Sequence, residues 1–169
     1  MKITMGVITL LLIALVYFLF SAGFFANVTI EEKNVGPYTL VYEEFIGDYK
    51  NTPKIQDKIY YALLNDYKIE TLKGFGIYYD NPKEVSRDKL RSEIGCILEE
   101  KDLARVEELK TKSFKIKEFP KTNAIVIEFP FNNQFSILAG IMKVYPKLEA
   151  YRKEKNYKPR EVMEIYDVP

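Results

Sequence analysis

Apolar positions are distributed very unevenly along this chain. No charged residue occurs between Lys2 and Glu31, and residues 6–25 read GVITLLLIALVYFLFSAGFF. A helix of about 20 apolar residues crosses a hydrocarbon core about 30 Å thick. A helix also satisfies its own backbone hydrogen bonds in lipid. The pattern predicts a membrane-spanning anchor within residues 1–30. A cleaved signal peptide is the rival reading, with small residues at Ser21, Ala22, Gly23 and Ala26. Against cleavage stand the length of the run, its continuation through Phe24 and Phe25, and the lack of an A-x-A site. No cysteine follows the run, which excludes a lipoprotein signal. Lys2 on one side against Glu31, Glu32 and Lys33 on the other is too small a bias to orient the span.

Beyond the run the patterns become short and mixed. A polar connector ends in the turn signal Gly36-Pro37, which makes residues 31–37 a linker to a soluble domain over 38–169. The segment YTLVYEEFIG from Tyr38 alternates as a strand, with Leu40, Tyr42 and Glu44 on one face and Thr39, Val41 and Glu43 on the other. Asn51-Thr52-Pro53 supplies a cap and a first-turn proline for a helix. Ile55, Ile59, Ala62 and Leu63 line one side of that helix, beside Tyr60, Leu64 and Tyr67. Strands are predicted over 74–79 and 91–98, a helix over 102–110, an extended piece over 115–119 and a clear strand over 122–129. A long helix over 134–155 follows Asn132-Asn133, with Leu138, Ile141, Tyr145 and Leu148 as its apolar stripe, Ile137 and Met142 adjacent, and Pro146 expected to kink it. VMEIYDV, 162–168, closes the chain as a strand.

Composition narrows the chemistry. Of 169 residues, the 135 to 140 or so beyond the anchor suit one domain with its own core. There is no histidine, which removes Ser-His-Asp and Cys-His nucleophile systems and the usual zinc sites. Cys96 is the only cysteine, so no intramolecular disulfide forms. With 25 basic and 24 acidic residues and no dense basic block, nothing points to nucleic acid. No metal ligand set, cofactor motif or catalytic residue stands out; Gly74 and Gly76 lack the third glycine and following helix of a phosphate loop. The 13 tyrosines and 11 phenylalanines are the informative excess, because tyrosine serves a ligand cleft as well as a core.

The soluble part also repeats itself. Each half runs strand, helix, strand, and the final strands close on Ile77-Tyr78-Tyr79-Asp80-Asn81-Pro82 and Ile165-Tyr166-Asp167-Val168-Pro169. This suggests an internal duplication in which Gly76 corresponds to Glu164. On GFGIYYDNPKEVSRDKLRSEIGCIL, FPKTNAIVIEFPF and the terminal EIYDVP, the chain from about Tyr38 onward resembles GyrI-like small-molecule-binding domains, the effector-binding domains of bacterial multidrug-responsive activators. YYDNP and the order of anchor then domain resemble the animal testis-expressed ER-phagy receptors. The disordered acidic tail that carries the autophagy-binding motif of those receptors has no counterpart before Pro169, and the activators' DNA-binding domain has none either, so the resemblance is not expected to bring either activity with it.

The resemblance implies an α+β fold of two pseudo-symmetric βαββ-like halves forming one antiparallel sheet domain, with a ligand cleft at their junction. It implies amphipathic or cationic ligands held by aromatics around a glutamate, here Glu164. Alternation on the last strand puts Val162, Glu164 and Tyr166 on one face, where a carboxylate between apolar neighbours attracts a cation; the plainer reading is a solvated sheet edge. Tyr42, Tyr78, Tyr79 and Phe129 are the candidate walls, each also an ordinary core aromatic. Arg91, Ser92 and Glu93 suit a fold-stabilising ion pair as well as a site. The expected function is a single-pass, membrane-anchored, non-enzymatic module that senses or sequesters a small amphipathic molecule. Two alternatives stand beside it: a tethered scaffold or receptor for a protein partner, and a GyrI-like hydrolase of electrophilic small molecules using a Glu and a Tyr.

Overall fold

A computed structural model of the chain describes residues 2–111, 114–133 and 135–167. Gln134, expected to open the last helix, and Val168 and Pro169, expected to end the last strand, lie outside the described residues. The chain divides into two compact units, one of Met1–Asn34 with Asn123–Pro159 and one of Val35–Thr122 with Arg160–Pro169.

The first unit begins with α1, Lys2–Ser21. Among the described residues this is the helix long and apolar enough to cross a membrane: Thr4–Ser21 has a mean hydropathy of 2.3 and none of it is buried inside the protein. The helix stops well short of residue 30. Gly23 takes φ +83°, a left-handed conformation that a Cβ would strain, and Ala22 and Val28 are buried. The stretch expected to be a polar connector contains a strand, β1, Glu31–Val35. Tyr38–Ile46 is β2, Thr52–Tyr67 is α2, Lys73–Tyr78 is β3 and Arg91–Ile97 is β4. Val106–Thr111 is α3, Lys115–Phe119 is β5 and Thr122–Val126 is β6, while Phe135–Glu154 is α4 and Val162–Asp167 is β7. β1 pairs with β6 as a two-stranded sheet. β6 ends three residues earlier than its apolar letters suggest.

In α4 the expected stripe is only partly covered, with Tyr145 and Leu148 partly buried. Ser136 and Ala139 are buried, whereas Leu138, Ile141 and Met142 are about half exposed. Lys143 donates to the carbonyls of Phe24 and Ala26, and Lys147 to that of Val28. Two lysines one turn apart therefore hold the chain that follows α1, satisfying carbonyls that no regular element pairs. Pro146 lies inside α4, which continues through it.

The second unit is a five-stranded sheet in the order β5-β2-β4-β3-β7, antiparallel at every pairing. The α+β class and antiparallel pairing stand as expected. The single sheet becomes two, and the larger one mixes strands from both sequence halves, since β5 and β7 flank β2, β3 and β4. Leu40 and Val41, neighbours on β2, are both fully buried because they point to opposite faces and each face has a core. On one face Val41 and Cys96 pack with Ile59 and Leu63 of α2 and with Ile69, Leu98 and Leu109. On the other Leu40, Phe75, Ile77 and Ile97 pack with Tyr42 and Met163. Each fully buried Leu or Ile contributes about 1.5–3 kcal/mol.

The start of α2 is organised one step earlier than Asn51, which makes no side-chain cap bond. Asp48 instead accepts from the Lys50 amide in a short 3-10 turn, Tyr49–Asn51, and Pro53 follows in the first helical turn. Residues 102–110 are likewise split, into a 3-10 stretch, Glu100–Arg105, and the short α3.

Candidate functional site: two carboxylates on opposite faces of one sheet

β7 is an outer strand of the larger sheet and pairs with β3 so that Glu164 lies opposite Gly76 and Tyr166 opposite Gly74. Direct cross-strand partners share a face, so the carboxylate and the phenol look across at two residues with no side chain. The space left by the glycines is used. A Cβ on Gly76 would meet the Tyr78 hydroxyl at 2.7 Å, and one on Gly74 would meet Nε2 of Gln56, from α2, at 1.6 Å. The Tyr78 ring thus folds back over Gly76, and an amide covers Gly74.

Tyr166 donates its hydroxyl to Oε2 of Glu164. The hydroxyls of Tyr78 and Thr52 are 3.5 Å apart, and the ring of Tyr49 meets that of Tyr78 edge-on at 4.8 Å. Burial pushes the Tyr166 phenol far up, and the charge of Glu164 adds to that rise. Tyr78 is raised by the same two causes in the same order. Both phenols therefore stay protonated donors beside a carboxylate.

Tyr42 and Tyr79 do not join this group. Glu93 lies opposite Ile77, and Ile77 is adjacent to Gly76, so strand alternation sends Glu93 and Glu164 to opposite faces. Tyr42, opposite Gly95, and Tyr79, two residues past Ile77, are on the Glu93 face. There the Glu93 carboxylate is ion-paired with Lys117 of β5 and lies close enough to Tyr79 to influence its phenol. The Lys117 ammonium also sits 5.0 Å above the Tyr42 ring, a cation–π distance. Burial raises the Tyr79 phenol, helped by Glu93; burial also raises Tyr42, with the charge of Glu93 next.

Phe129 belongs to the first unit, where its ring lies 3.1 Å from the position of a Cβ on Gly23 and 3.4 Å from one on Gly140. The YYDNP turn is built as an ion pair. Arg91 donates its amide, Nε and Nη2 to Asp80 at 2.8–2.9 Å, while the Tyr49 hydroxyl bridges Asp80 and the Arg91 carbonyl. The Arg91 guanidinium holds the Asp80 carboxyl below the usual carboxylate range. Cys96 is buried and its thiol is pushed up to about 11, so it packs as a small apolar residue. Among the described residues no group of three or more acidic or cysteine side chains could hold a metal ion.

Sequence reasoning therefore drew one site where the sheet has two clusters. It passed over Gln56, Thr52 and Lys117, and it treated Glu93 only as part of a possible ion pair. Alternation alone separates Tyr78 from Tyr79; what the sequence lacks is the register that pairs Gly76 with Glu164.

No family model matches the chain. It is similar to mouse testis-expressed protein 264 homolog, at 35% identity over 100 residues, which cover 56% of this chain and 32% of that protein. It is also similar to human testis-expressed protein 264, at 29% identity over 169 residues, covering 95% of this chain and 52% of that protein. The chain thus matches about a third to a half of the length of these relatives, and the human similarity takes in nearly all of it.

Proposed function

We propose that the chain is a membrane-anchored, GyrI-like binding module that takes a small amphipathic or cationic molecule over Gly74 and Gly76, with Glu164 as its counter-charge. The observation that carries this reading is the glycine pair facing Glu164 and Tyr166, with the Tyr78 ring lying over Gly76. A tyrosine ring on a glycine shelf is what a flat aromatic ligand replaces: Tyr78 swings away and the ligand takes its place. The Glu164 charge, which adds to the rise that burial gives the two neighbouring phenols, then attracts the ligand's cation. The apolar α1 supports the anchoring half of the reading. It places the module where amphipathic molecules concentrate.

The test is binding of a matched pair of dyes, one cationic and one neutral, to the full chain and to Glu164→Gln. The expected result is at least about a tenfold loss for the cationic dye, or about 1.4 kcal/mol, with little change for the neutral one. Equal losses for both dyes sink the charge argument.

The contact between Tyr166 and Glu164 also supports a second reading, a hydrolase of electrophilic small molecules. Glu164 would activate a water and Tyr166, held protonated by burial, would donate a hydrogen bond to the developing oxyanion. Turnover that survives in Glu164→Gln removes this reading.

A further inference from the structure

The first unit leaves an apolar surface at the point where α1 ends. Along the opening half of α4, Phe135, Leu138, Ile141 and Met142 are 54%, 53%, 49% and 59% exposed. At 100° per residue they form one continuous arc of the helix. The opposite arc is spent inside the unit: Ser136 and Ala139 are buried, Gly140 meets the Phe129 ring, and Lys143 and Lys147 reach the carbonyls of Phe24, Ala26 and Val28. From Phe135 to Leu148 those two lysines are the charged residues, and both point inward. Charge returns only past Pro146, with Glu149 paired to Arg152 and Lys153. The helix is thus divided along its length as well as across it.

The start of α4 is fixed to the end of α1. The Phe18 and Phe135 rings meet edge-on at 4.9 Å, and the side-chain amides of Asn132 and Asn133 both donate to the Ser21 carbonyl at 3.2 Å. Ser21 is the last residue of the apolar window and Phe18 lies three residues inside it. At 1.5 Å per residue that is about 4.5 Å into the span. A side chain touching Phe18 is therefore at the depth where the hydrocarbon begins. Phe25, 60% exposed just beyond α1, lies near the Phe20 ring and keeps that end of the helix apolar.

We propose that the opening half of α4 lies in the membrane interface, so that the first unit holds the bilayer by two contacts, the α1 span and this apolar arc. The occupant of the exposed arc is lipid, at the boundary between headgroups and acyl chains. The arrangement fixes the first unit against the surface, because α4 and the end of α1 are joined by ring contact, two hydrogen bonds from side-chain amides and the lysine straps. This rests on the anchor reading of α1, and the experiment separates the two.

The full chain is prepared with single cysteines at Leu12→Cys, Met142→Cys or Glu154→Cys and labelled with an environment-sensitive fluorophore. Native Cys96 is buried, and the unsubstituted chain sets its background. Each protein is reconstituted in phosphatidylcholine vesicles and quenched either by lipids brominated along the chain or by aqueous iodide. The expected result is strong lipid quenching at Leu12 and Met142 and strong iodide quenching at Glu154. The Met142 label then reads a depth of about 5–10 Å below the headgroup surface. Iodide quenching at Met142 equal to that at Glu154 overturns the proposal while leaving the anchor intact. So does protection of Met142 from both quenchers, which would mean a protein surface covers the arc. Failure of lipid quenching at Leu12 overturns the anchor and the proposal together.

Discussion

Glu93 and Glu164 belong to the same sheet, yet the fold treats their charges differently. Glu93 is met by an ammonium, Lys117, and by the Tyr79 phenol, with side-chain exposures of 12% for the carboxylate and 30% for the lysine. Glu164 is met by the Tyr166 phenol, with Tyr78 beside it. An ion pair cancels charge where it sits, and it makes each partner costly to remove. A phenol hydrogen bond satisfies a carboxylate oxygen with a neutral donor, and the charge of each carboxylate adds to the rise of the phenols beside it, Tyr166 and Tyr78 at Glu164, Tyr79 and Tyr42 at Glu93. The Glu93 face thus ties β5 to β4 through an ion pair and to β2 through the Tyr42 ring, whereas the Glu164 face is the one proposed above to take a cation.

The glycines give the sharpest way to break this comparison. Gly95 is two residues from Glu93, and a Cβ there would lie 1.9 Å from the Val41 carbonyl oxygen and 2.8 Å from the Tyr42 Cα. Backbone cannot step aside without opening the β2–β4 ladder. Gly95→Ala is expected to cost about 3 kcal/mol or more, the upper end for an overpacked core, read as a shift of the urea midpoint. A loss below about 1 kcal/mol would show that this face is looser than an ion-paired sheet should be.

Next in size is Lys117→Met. The apolar stem is kept and the ammonium is lost, so Glu93 is left mostly buried without its cation. About 2 kcal/mol of destabilisation is expected, less than the 3–5 kcal/mol typical of fully buried pairs because Lys117 keeps some contact with water. Adding Glu93→Gln should restore most of it, since the double variant no longer holds an uncompensated charge. If the double variant is as unstable as the single one, the pairing is not what Lys117 contributes.

The phenols on the two faces give a comparison in alkaline solution. Tyr166 has its folded-state pKa raised above the unfolded value of about 10. The folded state then holds the proton more tightly than the unfolded chain. Its stabilising contribution is complete below about pH 10 and is lost as pH rises through the folded value. Glu164→Gln removes the charge while leaving burial in place, so the tyrosinate of Tyr166 should form at lower pH in the variant, followed by ultraviolet absorbance. Glu93→Gln should do the same to Tyr79 and leave Tyr166 alone. A shift in Tyr166 on removing Glu93 would mean that the two faces are not electrically separate.

Much of this arrangement was within reach of the sequence, and the gaps have physical causes. The alternation of YTLVYEEFIG, the start of α2 around Thr52-Pro53 and the placing of Glu164 beside Tyr166 follow from period and cap chemistry. β1 was missed because EEKNV carries no apolar alternation; it pairs through its backbone, and its partner lies some 90 residues away. The α4 stripe is apolar as its period shows, but its Leu138 and Ile141 are about half exposed while Tyr145 and Leu148 are partly buried. Periodicity shows that a helix has two sides, but which side meets the protein depends on what the lysines can reach. The same gap explains the single composite site: Tyr42 and Tyr79 are aromatics on predicted strands, which makes them candidate walls around Glu164, whereas register puts them on the Glu93 face.

The smallest effect expected is also the most informative about Glu164. Gly76 has the Tyr78 hydroxyl, not backbone, where its Cβ would be, with Cζ at 2.8 Å. Tyr78 is the movable end of a side chain, so Gly76→Ala should be accommodated by turning the ring away. Gly in a strand interior is itself unfavourable by roughly 0.5–1 kcal/mol relative to Ala, which offsets part of the lost packing, and a net change of about 0.5 kcal/mol is expected. The informative readout is the Tyr78 ring: with the phenol displaced from beside Glu164, its ionisation should move toward that of an exposed tyrosine, as tyrosinate absorbance of Gly76→Ala against Gly76→Ala with Tyr78→Phe would report. A methyl on the shelf should also weaken a flat cationic dye while leaving Glu164 in place. If Gly76→Ala instead unfolds the sheet as Gly95→Ala does, the Tyr78 ring is fixed packing rather than a lid, and the two faces differ in charge but not in their capacity to open.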